Sequence, residues 1–391
     1  MYVYMSNKRE AVIVAYGRTP LARAFKGGFA NTHPVEYGAQ VLAGVLKRVP
    51  QLAASEIDDL IVGCATPERN LGYNVSRLIA QRAGLPDEVT AQTINRFCSS
   101  GLQAIATASN AILAGEMDVV VAGGIEQMTG IQMNFPKELQ HSNLSEDIPG
   151  TYLPMGITGE NVAKQYGITR AEMEVLAAES HQKAATAQAE GKFLDEIIPI
   201  TVETEDGTIV LTEDEGIRPS TTTESLSTLK PCFKEDGLLT AATSSQMTDG
   251  ASFVVVMSRE KAEALGCKPI AKFVTYAVAG VPADVMGIGP IKAVPKALAK
   301  AELNVEDFDV IEFNEAFASQ VLASSRELKL PLDKINPNGG AMALGHPMGA
   351  TGAVLTCKAL SELKRTGGKY ALITMCIGGG MGAAGIFEME N

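Results

Sequence analysis

The chain alternates short runs of β-branched residues with longer, alanine-rich segments whose apolar residues recur at helical spacing. This alternation is typical of a layered α/β fold. Because 391 residues exceed what one hydrophobic core usually supports, two or more substructures are expected. The pattern predicts strands at Ala11–Ala15, Leu60–Val62, Gln92–Ile94, Val119–Ala122, Ser252–Met257, Ile270–Ala277, Val310–Phe313 and Ala371–Met375, and helices at Pro34–Arg48, Ser99–Leu113, Arg170–Glu190, Ile291–Leu303, Ser319–Leu328 and Ala350–Arg365.

The two halves of the chain share a layout. Each half runs through a strand, a loop, an Ile-Asn turn, a glycine-rich helix entry, a helix, a strand and a group of glycines. Two such halves packed together would present matching loops at a shared seam, which is a natural place for a composite active site. The repeat is carried by IDDLIVGCATPE and INRFCSSGLQA in the first half, and by FDVIEFNEAF and INPNGGAMALGHPMGATG in the second.

Between Gly124 and Gly250 the sequence changes to polar stretches with many loop signals, such as Pro149-Gly150. This texture predicts an insertion, and structured insertions often carry binding functions on a rigid scaffold. The expected division is a first half of residues 1–123 and 250–268, an inserted loop domain of residues 124–249, and a second half of residues 269–391.

Charge and hydropathy exclude several classes of function. A formal net charge of −12 argues against nucleic acid as the main partner, although local basic residues would still accommodate a small anion. Apolar runs such as Val119–Ala122 are too short to cross a bilayer. The N-terminal segment lacks the pattern of a secretory signal, and the last residues match no organellar address, so we expect a cytoplasmic location.

The six cysteines are scattered without close pairs, a pattern that favours free thiols in a reducing compartment. None of the four histidines lies within a few residues of two cysteines, so we expect no metal site. His33, His141 and His181 lie in polar or solvent-facing contexts and are interpreted as histidines that only hold backbone groups in turns.

Cys98 lies where a strand gives way to a predicted helix. Unpaired amides and the positive end of the helix dipole favour a thiolate there, which would make this cysteine a nucleophile. The alternative is a small apolar core residue, the commoner role of a cysteine. The neighbouring Ser99-Ser100-Gly101 favours chemistry.

His346 stands between Gly345 and Pro347, in a loop that cannot be regular helix. A fixed imidazole is suited to take the thiol proton and to donate to a developing oxyanion. The alternative is a histidine that only holds a turn together.

Cys376 comes just after a predicted strand and is followed by glycines that allow close approach of a ligand. Its thiol is suited to act as acid and base, and the Gly378 amide to stabilise an oxyanion. Gly380, Gly382 and Gly385 have the spacing of a dinucleotide-binding loop, but the chain ends before the required helix and acidic residue, so this interpretation is rejected.

Asn314 follows the predicted strand Val310–Phe313, at the strand end where α/β proteins usually place functional groups. Its amide is suited to hold a water or an oxyanion. An asparagine that caps the next helix would look the same in sequence.

Four segments in this order resemble the thiolase family, and the likeness extends over nearly the whole chain. The resemblance implies a five-layered αβαβα core of two repeated halves, with the insertion lying over coenzyme A. The segments are NRFCSSGLQA at 95–104, NEAF at 314–317, GGAMALGHPMGATG at 339–352 and MCIGGGMGAAG at 375–385.

The resemblance also implies roles for individual residues, in an acyltransferase that cleaves 3-ketoacyl-CoA with coenzyme A through an acyl-Cys98 thioester. His346 would be the base and Cys376 the acid and base at the acetyl carbon. Asn314, through a water, would form one oxyanion hole with His346, and the amides of Cys98 and Gly378 the other. Coenzyme A and the acyl chain would contact Arg218, Ser225, Phe233, Ser245, Met155, Met286 and Phe317. The resemblance implies no permanently bound cofactor, with coenzyme A and acyl-CoA as substrates.

Departures from the family pattern indicate the substrate class. Pro154 stands where acetoacetyl-CoA thiolases usually carry a histidine, and Ser244-Ser245-Gln246 replaces an Ala-Ser-Gly pattern. Both favour a degradative 3-ketoacyl-CoA thiolase of fatty acid β-oxidation, with an acetoacetyl-CoA thiolase as the alternative. Thr243 and Cys232 also depart from the family pattern, without removing a catalytic group.

Two other functions compete with this one. A decarboxylating ketoacyl synthase shares the fold and the cysteine nucleophile, but Cys376 argues against it. A catalytically silent acyl-binding relative is the second, and the complete set of catalytic motifs argues against that. The expected assembly is a homodimer or homotetramer.

Overall fold

The computed structural model describes residues 9–131 and 135–390. Every predicted strand and helix is present, with ends that differ by a few residues. The helices are α1 Pro34–Leu46, α2 Val75–Arg82, α3 Ser100–Ala114, α4 Ser142–Asp147, α5 Met155–Tyr166, α6 Arg170–Ala189, α7 Thr223–Ser227, α8 Arg259–Ala264, α9 Gly289–Ala301, α10 Ala318–Leu328 and α11 Met348–Thr366. The strands are β1 Ala11–Arg18, β2 Ala22–Arg23, β3 Asp59–Gly63, β4 Thr90–Ile94, β5 Val119–Glu126, β6 Ile200–Thr204, β7 Gly207–Leu211, β8 Thr248–Ser258, β9 Ala271–Gly280, β10 Val310–Phe313, β11 Tyr370–Ile377 and β12 Met381–Met389.

The main sheet has the strand order β10-β11-β12-β9-β1-β8-β5-β3-β4. The two halves of the chain meet where β1 pairs with β9, at Val12 opposite Lys272 and Ile13 opposite Ala271. Outward from that seam, the strands β1, β8, β5 and β3 of the first half correspond to β9, β12, β11 and β10 of the second. The position of the outermost strand, β4, corresponds to an isolated parallel bridge between Ile311 and Ile335. This mirrored order confirms the internal repeat.

Five layers follow from the way the helices cover this sheet. Helices α3 and α11 pack on each other in the centre, with strands of both halves around them. Helices α1 and α2 cover the outer face of the first half, and α9 covers the outer face of the second. Separate apolar cores fill the first outer layer, the centre and the second outer layer.

Glycines allow the two central helices to approach closely. A Cβ atom at Gly352 would lie 2.3 Å from the backbone nitrogen of Leu102, and one at Gly101 would lie 2.9 Å from that of Ala353. Any larger side chain would therefore push α3 and α11 apart. Since these helices begin beside Cys98 and His346, the contact brings the two loops together.

The insertion leaves the first half after β5 and returns at β8, whereas the second half turns between β11 and β12 with Gly378–Gly380 alone. Strand pairing extends to Glu126 in β5 and begins at Thr248 in β8, so the sheet reaches slightly into the range expected for the insertion. Arg18 of β1 binds the insertion through Glu196 and Asp214.

Strand β12 was not predicted. Met381–Met389 pairs with β11 on one side and β9 on the other. A strand, not a helix, follows the glycines, which agrees with rejecting a dinucleotide-binding loop. No helix in the described ranges is long and apolar enough to span a membrane.

Candidate active site

Equivalent positions of the two halves supply the candidate residues. Cys98 lies two residues before the first residue of α3, and His346 lies two residues before that of α11. In the second half, Asn314 directly follows β10, and its backbone N–H donates to Thr374 of the neighbouring β11 at 3.0 Å. These three loops thus open at the same edge of the fold.

The turn that carries Cys98 is held in a strained conformation. Phe97 has a φ of +43°, which is unfavourable for a bulky side chain. Its N–H donates to Asn95 Oδ1 at 2.8 Å, and its carbonyl accepts from Ser100 Oγ at 2.7 Å. The backbone N–H of Arg96 donates to the same hydroxyl at 2.8 Å. These bonds fix the direction in which the next residue, Cys98, presents its sulfur.

Burial keeps the Cys98 thiol protonated. Its side chain is 8% exposed, and burial raises its pKa to about 11, although the Gly378 N–H donates to the sulfur and lowers it. The charge of Glu126 raises the pKa further. The expectation that the helix N-terminus would favour a thiolate is therefore wrong for the free enzyme, because burial outweighs the amide donors.

Cys376 lies close to Cys98. Burial raises the pKa of Cys376 well above its ordinary value, and the charge of Cys98 raises it further. Cys376 is the next-to-last residue of β11, not a residue after the strand, and it is fully buried. It packs in an apolar cluster with Met286 and Phe317, so it is a core residue by packing as well as a neighbour of the nucleophile.

His346 is held by one side chain on each ring nitrogen. Thr351 Oγ1 lies 2.6 Å from Nδ1, and the same hydroxyl donates to the Pro347 carbonyl at 3.0 Å. Because its proton is used there, the hydroxyl accepts from Nδ1–H, which leaves Nε2 as the unprotonated nitrogen. Burial lowers the pKa of His346 to about 4. The imidazole is therefore neutral and presents a base.

Asn314 faces that base. Its Nδ2 lies 3.5 Å from His346 Nε2, and its side-chain oxygen has no hydrogen-bond partner within residues 9–131 and 135–390. The residue that caps α10 is Phe317, so the capping alternative for Asn314 is wrong. A buried amide oxygen without a partner is suited to bind a water or a polar group of a ligand.

Buried side chains hold the loop before His346. Glu315 accepts from Ser180 Oγ at 2.7 Å, from Asn336 Nδ2 at 2.8 Å and from the Met342 N–H at 3.1 Å. Gln246 Nε2 donates to the Met342 and Ala343 carbonyls of this loop and to the Gly216 carbonyl of the insertion, each at 2.9 Å. The Gln246 carbonyl accepts from the His346 N–H at 2.9 Å.

The residues expected to contact coenzyme A lie in two groups. Phe233 and Phe317 pack edge to face with ring centroids 5.8 Å apart, in the same apolar cluster as Met155 and Met286. A Cβ atom at Gly378 would lie 3.5 Å from the sulfur of Met155, which places this group beside Cys98. Polar residues form the second group: Arg218 is exposed and reaches Gln246 at 3.4 Å, Ser245 is half-buried beside it, and Ser225 is exposed and closes the capping box of α7.

The other histidines are structural. His33 and His141 cap α1 and α4, accepting from backbone N–H groups. His181 also holds a backbone group, since its Nδ1 accepts from the Arg218 N–H at 3.1 Å, but it is buried and does not face solvent.

Three residues that hold the site were not identified from the sequence: Thr351, Glu315 and Glu126. Glu315 and Glu126 lie at the carboxyl ends of strands β10 and β5, the same position that singled out Asn314. Thr351 gives no signal, because a threonine in the first turn of a helix is common.

Comparison with known protein families gives matches along almost the whole chain. The model of the thiolase N-terminal domain matches residues 11–260, and that of the thiolase C-terminal domain matches residues 267–389.

The similar proteins are named as 3-ketoacyl-CoA thiolases or as an acetyl-CoA acetyltransferase. The chain is 49% identical to a 3-ketoacyl-CoA thiolase of Bacillus subtilis, covering 97% of this chain and 100% of that one, and 46% identical to a peroxisomal 3-ketoacyl-CoA thiolase of Homo sapiens, covering 96% and 90%. Among solved structures, an acetyl-CoA acetyltransferase of Bacillus anthracis has a TM-score of 0.90 at 41% identity, and a human mitochondrial 3-ketoacyl-CoA thiolase has 0.89 at 37%. Each of the two covers 98% of this chain and 99% of the matched structure.

Proposed function

The chain belongs to the thiolase family of acetyl-CoA acyltransferases, and we propose that it is a degradative 3-ketoacyl-CoA thiolase of fatty acid β-oxidation that works by a ping-pong mechanism. The observation that carries this proposal is the meeting of Cys98, Cys376 and the Gly378 amide at one point. A nucleophilic sulfur, a second thiol and a backbone donor are what cleavage next to a thioester requires.

In the first half-reaction, Cys98 Sγ attacks the 3-keto carbon and its proton passes to His346 Nε2. The bond between C2 and C3 then breaks, leaving an acyl-Cys98 thioester and the enolate of acetyl-CoA. Cys376 gives its proton to C2, acetyl-CoA leaves, and the proton held by His346 restores the Cys376 thiol. Since both thiols and the imidazole are neutral in the free enzyme, charge develops only when a substrate is present to receive it.

In the second half-reaction, the thiol of coenzyme A attacks the acyl-Cys98 carbonyl. His346 takes the proton of the incoming thiol and passes it to Cys98 as the shortened acyl-CoA leaves. The amides of Cys98 and Gly378 stabilise one oxyanion, and Asn314, through a water, with His346 the other. Coenzyme A and acyl-CoA act as substrates, and no resident cofactor takes part.

The degradative direction and longer substrates are supported by the relatives named 3-ketoacyl-CoA thiolase and by Pro154 before Met155. The experiment is a thiolysis series on 3-ketoacyl-CoA substrates from four carbons upward, with Cys98→Ala as the inactive control. We expect kcat/KM to be higher above four carbons. Activity confined to acetoacetyl-CoA would favour an acetoacetyl-CoA thiolase, in keeping with the similar acetyl-CoA acetyltransferase structure. Absence of thiolysis at every length would favour an acyl-binding protein.

We propose a homodimer formed at strand β4. This strand lies at one end of the main sheet, and large apolar side chains are exposed around it, including Tyr73 at 78% and Leu78. An open strand edge beside exposed apolar residues favours pairing with a second copy. Light scattering gives the mass of the purified protein in solution, and Tyr73→Glu should shift that mass from dimer towards monomer. A tetramer would require a second contact surface. The cytoplasmic location stays a prediction.

A further inference from the structure

A buried carboxylate joins the two halves of the molecule beside the active site. Glu126 is the last residue of β5 and is fully buried. Its Oε2 accepts from the N–H groups of Ala65 and Gly349, each at 2.8 Å. Its Oε1 accepts from the Thr66 N–H at 3.2 Å, from the Thr66 hydroxyl at 2.6 Å and from the Cys64 thiol at 3.6 Å. Ala65 and Thr66 belong to the first half, and Gly349 to the second.

The mirrored sheet gives this carboxylate a counterpart. The last residue of β3 stands opposite Gly124 of β5, and the last residue of β10 stands opposite Thr374 of β11. Glu126 lies two residues after Gly124, and Cys376 lies two residues after Thr374. Glu126 therefore occupies in the first half the position that Cys376 occupies in the second.

We propose that Glu126 is a positioning residue for the thiolase reaction, which sets the His346 loop against the Cys98 turn by bridging the two halves. The inference rests on the proposed function for its catalytic consequence.

Towards His346, the bridge acts through the start of α11. Pro347 caps this helix and has no polar side-chain atom to satisfy the first N–H groups. Glu126 accepts from one of these, the N–H of Gly349, and its negative charge is favoured at the positive end of the helix dipole. His346 directly precedes the cap, so the bond fixes the position of the backbone that carries its imidazole ring.

Towards Cys98, the bridge acts through the loop after β3. The Ala65 carbonyl accepts from Asn95 Nδ2 at 2.8 Å, and Asn95 Oδ1 accepts from the N–H of Phe97 at 2.8 Å. Phe97 adjoins Cys98. Three hydrogen bonds in series, through Ala65 and Asn95, therefore connect the carboxylate to the residue next to the nucleophile.

The charge of Glu126 argues against a direct chemical role at the nucleophile. It raises the pKa of Cys98, which opposes thiolate formation. All the donors on the carboxylate are structural groups of the chain, so its effect on the reaction is geometric.

Three variants separate the bridge from the charge. Glu126→Gln removes the charge and disturbs the bridge, because its NH2 group must face either the N–H of Thr66 or the N–H groups of Ala65 and Gly349. Gly349→Ala keeps the charge but breaks the bridge, since its Cβ would lie 2.6 Å from Cys64 Cα and 2.8 Å from both Ala65 N and Ile125 O. Thr66→Val removes one bond within the first half and keeps the bridge.

We expect Glu126→Gln and Gly349→Ala each to lower kcat for thiolysis about 10- to 100-fold with KM for coenzyme A within about twofold, because a displacement near 1 Å costs about 100-fold. Thr66→Val should stay within about threefold of wild type. The double variant Glu126→Gln with Gly349→Ala should lose less than the product of the single losses, because both break one bridge.

Alkylation of Cys98 by iodoacetamide gives the second readout. The charge of Glu126 raises the pKa of Cys98, and the other ionisable neighbours, Cys376 and His346, are unchanged in all variants. The midpoint of alkylation against pH should move to lower pH in Glu126→Gln and stay in place in Gly349→Ala. This shift separates loss of the charge from loss of structure.

The inference is overturned if Glu126→Gln keeps kcat within about threefold of wild type, or if Thr66→Val loses as much as Glu126→Gln. Should Glu126→Gln fail to fold, Gly349→Ala against Thr66→Val decides in the same way. If the wild-type protein shows no thiolysis, the proposed function alone is refuted. The alkylation shift in Glu126→Gln would still show that the carboxylate acts on Cys98.

Discussion

Replacing Thr351 by valine tests how His346 is held as a base. Valine keeps the shape of threonine, including its β-branch, and removes the hydroxyl that accepts from His346 Nδ1–H at 2.6 Å. The Pro347 carbonyl loses one donor but keeps the N–H groups of Ala350 and Thr351 at 2.8 and 2.9 Å. The damage is therefore confined to His346.

The magnitude follows from that single unpaired group. A buried N–H without an acceptor costs about 1–3 kcal/mol, which the neutral ring avoids by moving its proton to Nε2. With Nε2 protonated, His346 cannot accept from Cys98 or from coenzyme A. Since each 1.36 kcal/mol is a factor of ten, the expected loss is about 5- to 150-fold in kcat.

Steady-state thiolysis measures this loss, and nitrogen NMR of labelled His346 reports which ring nitrogen carries the proton. Thr351→Ser is the matched control, because it keeps the hydroxyl, and should stay within about threefold of wild type. Wild-type kcat in Thr351→Val, or an equal loss in both variants, would refute the assignment of Nε2 as the base.

Four further outcomes follow from the site. Cys98→Ala should abolish acyl transfer while coenzyme A still binds; a labelled acyl group trapped on the variant, seen by mass spectrometry, would contradict this. Cys376→Ser should slow carbon–carbon cleavage much more than thioester exchange, and equal losses in the two assays would exclude its role at C2. Gly378→Ala should fold normally, since its Cβ meets Met155 only at 3.5 Å, yet raise KM for 3-ketoacyl-CoA about tenfold by filling substrate space, and an unchanged KM would contradict that. Burial lowers the pKa of His346 to about 4, so the contribution of the neutral ring to folding stability is complete above pH 6.5 and is lost, by about 3 kcal/mol, as the pH falls towards 4. The free energy of unfolding in urea should therefore depend less on pH in His346→Asn than in wild type. Equal pH dependence in the two proteins would count against a buried neutral ring.

The sequence pattern predicted those helices and strands whose formation depends mainly on neighbouring residues. Strand β10 spans Val310–Phe313 as predicted, and the helix before which Cys98 lies begins one residue later than expected. Strand β12 was missed because its glycines have low strand propensity, and its place between β11 and β9 is decided by pairing with residues far away in the sequence.

The electrostatics of the site could not be predicted in the same way. Position at a helix start argues for a thiolate at Cys98, but the opposing effect, burial, depends on the packing of both halves. The same limit applies to Glu126, whose partner Gly349 is 223 positions away along the chain. A motif shows which groups are present, whereas their ionisation depends on what the fold places around them.

The mirrored halves explain how a repeated framework performs a reaction that needs unlike groups. Cys98 and His346 occupy equivalent positions before α3 and α11, and Cys64 and Asn314 occupy equivalent positions directly after β3 and β10. Two identical halves would place two nucleophiles or two bases at the seam, and proton transfer from one to the other would gain nothing. Because the halves differ at these positions, one central helix begins beside a thiol and the other beside an unprotonated imidazole, which is what the proposed proton transfer requires. The repeat therefore supplies the geometry of the site, and in the proposed mechanism the differences between its halves set the direction of proton transfer.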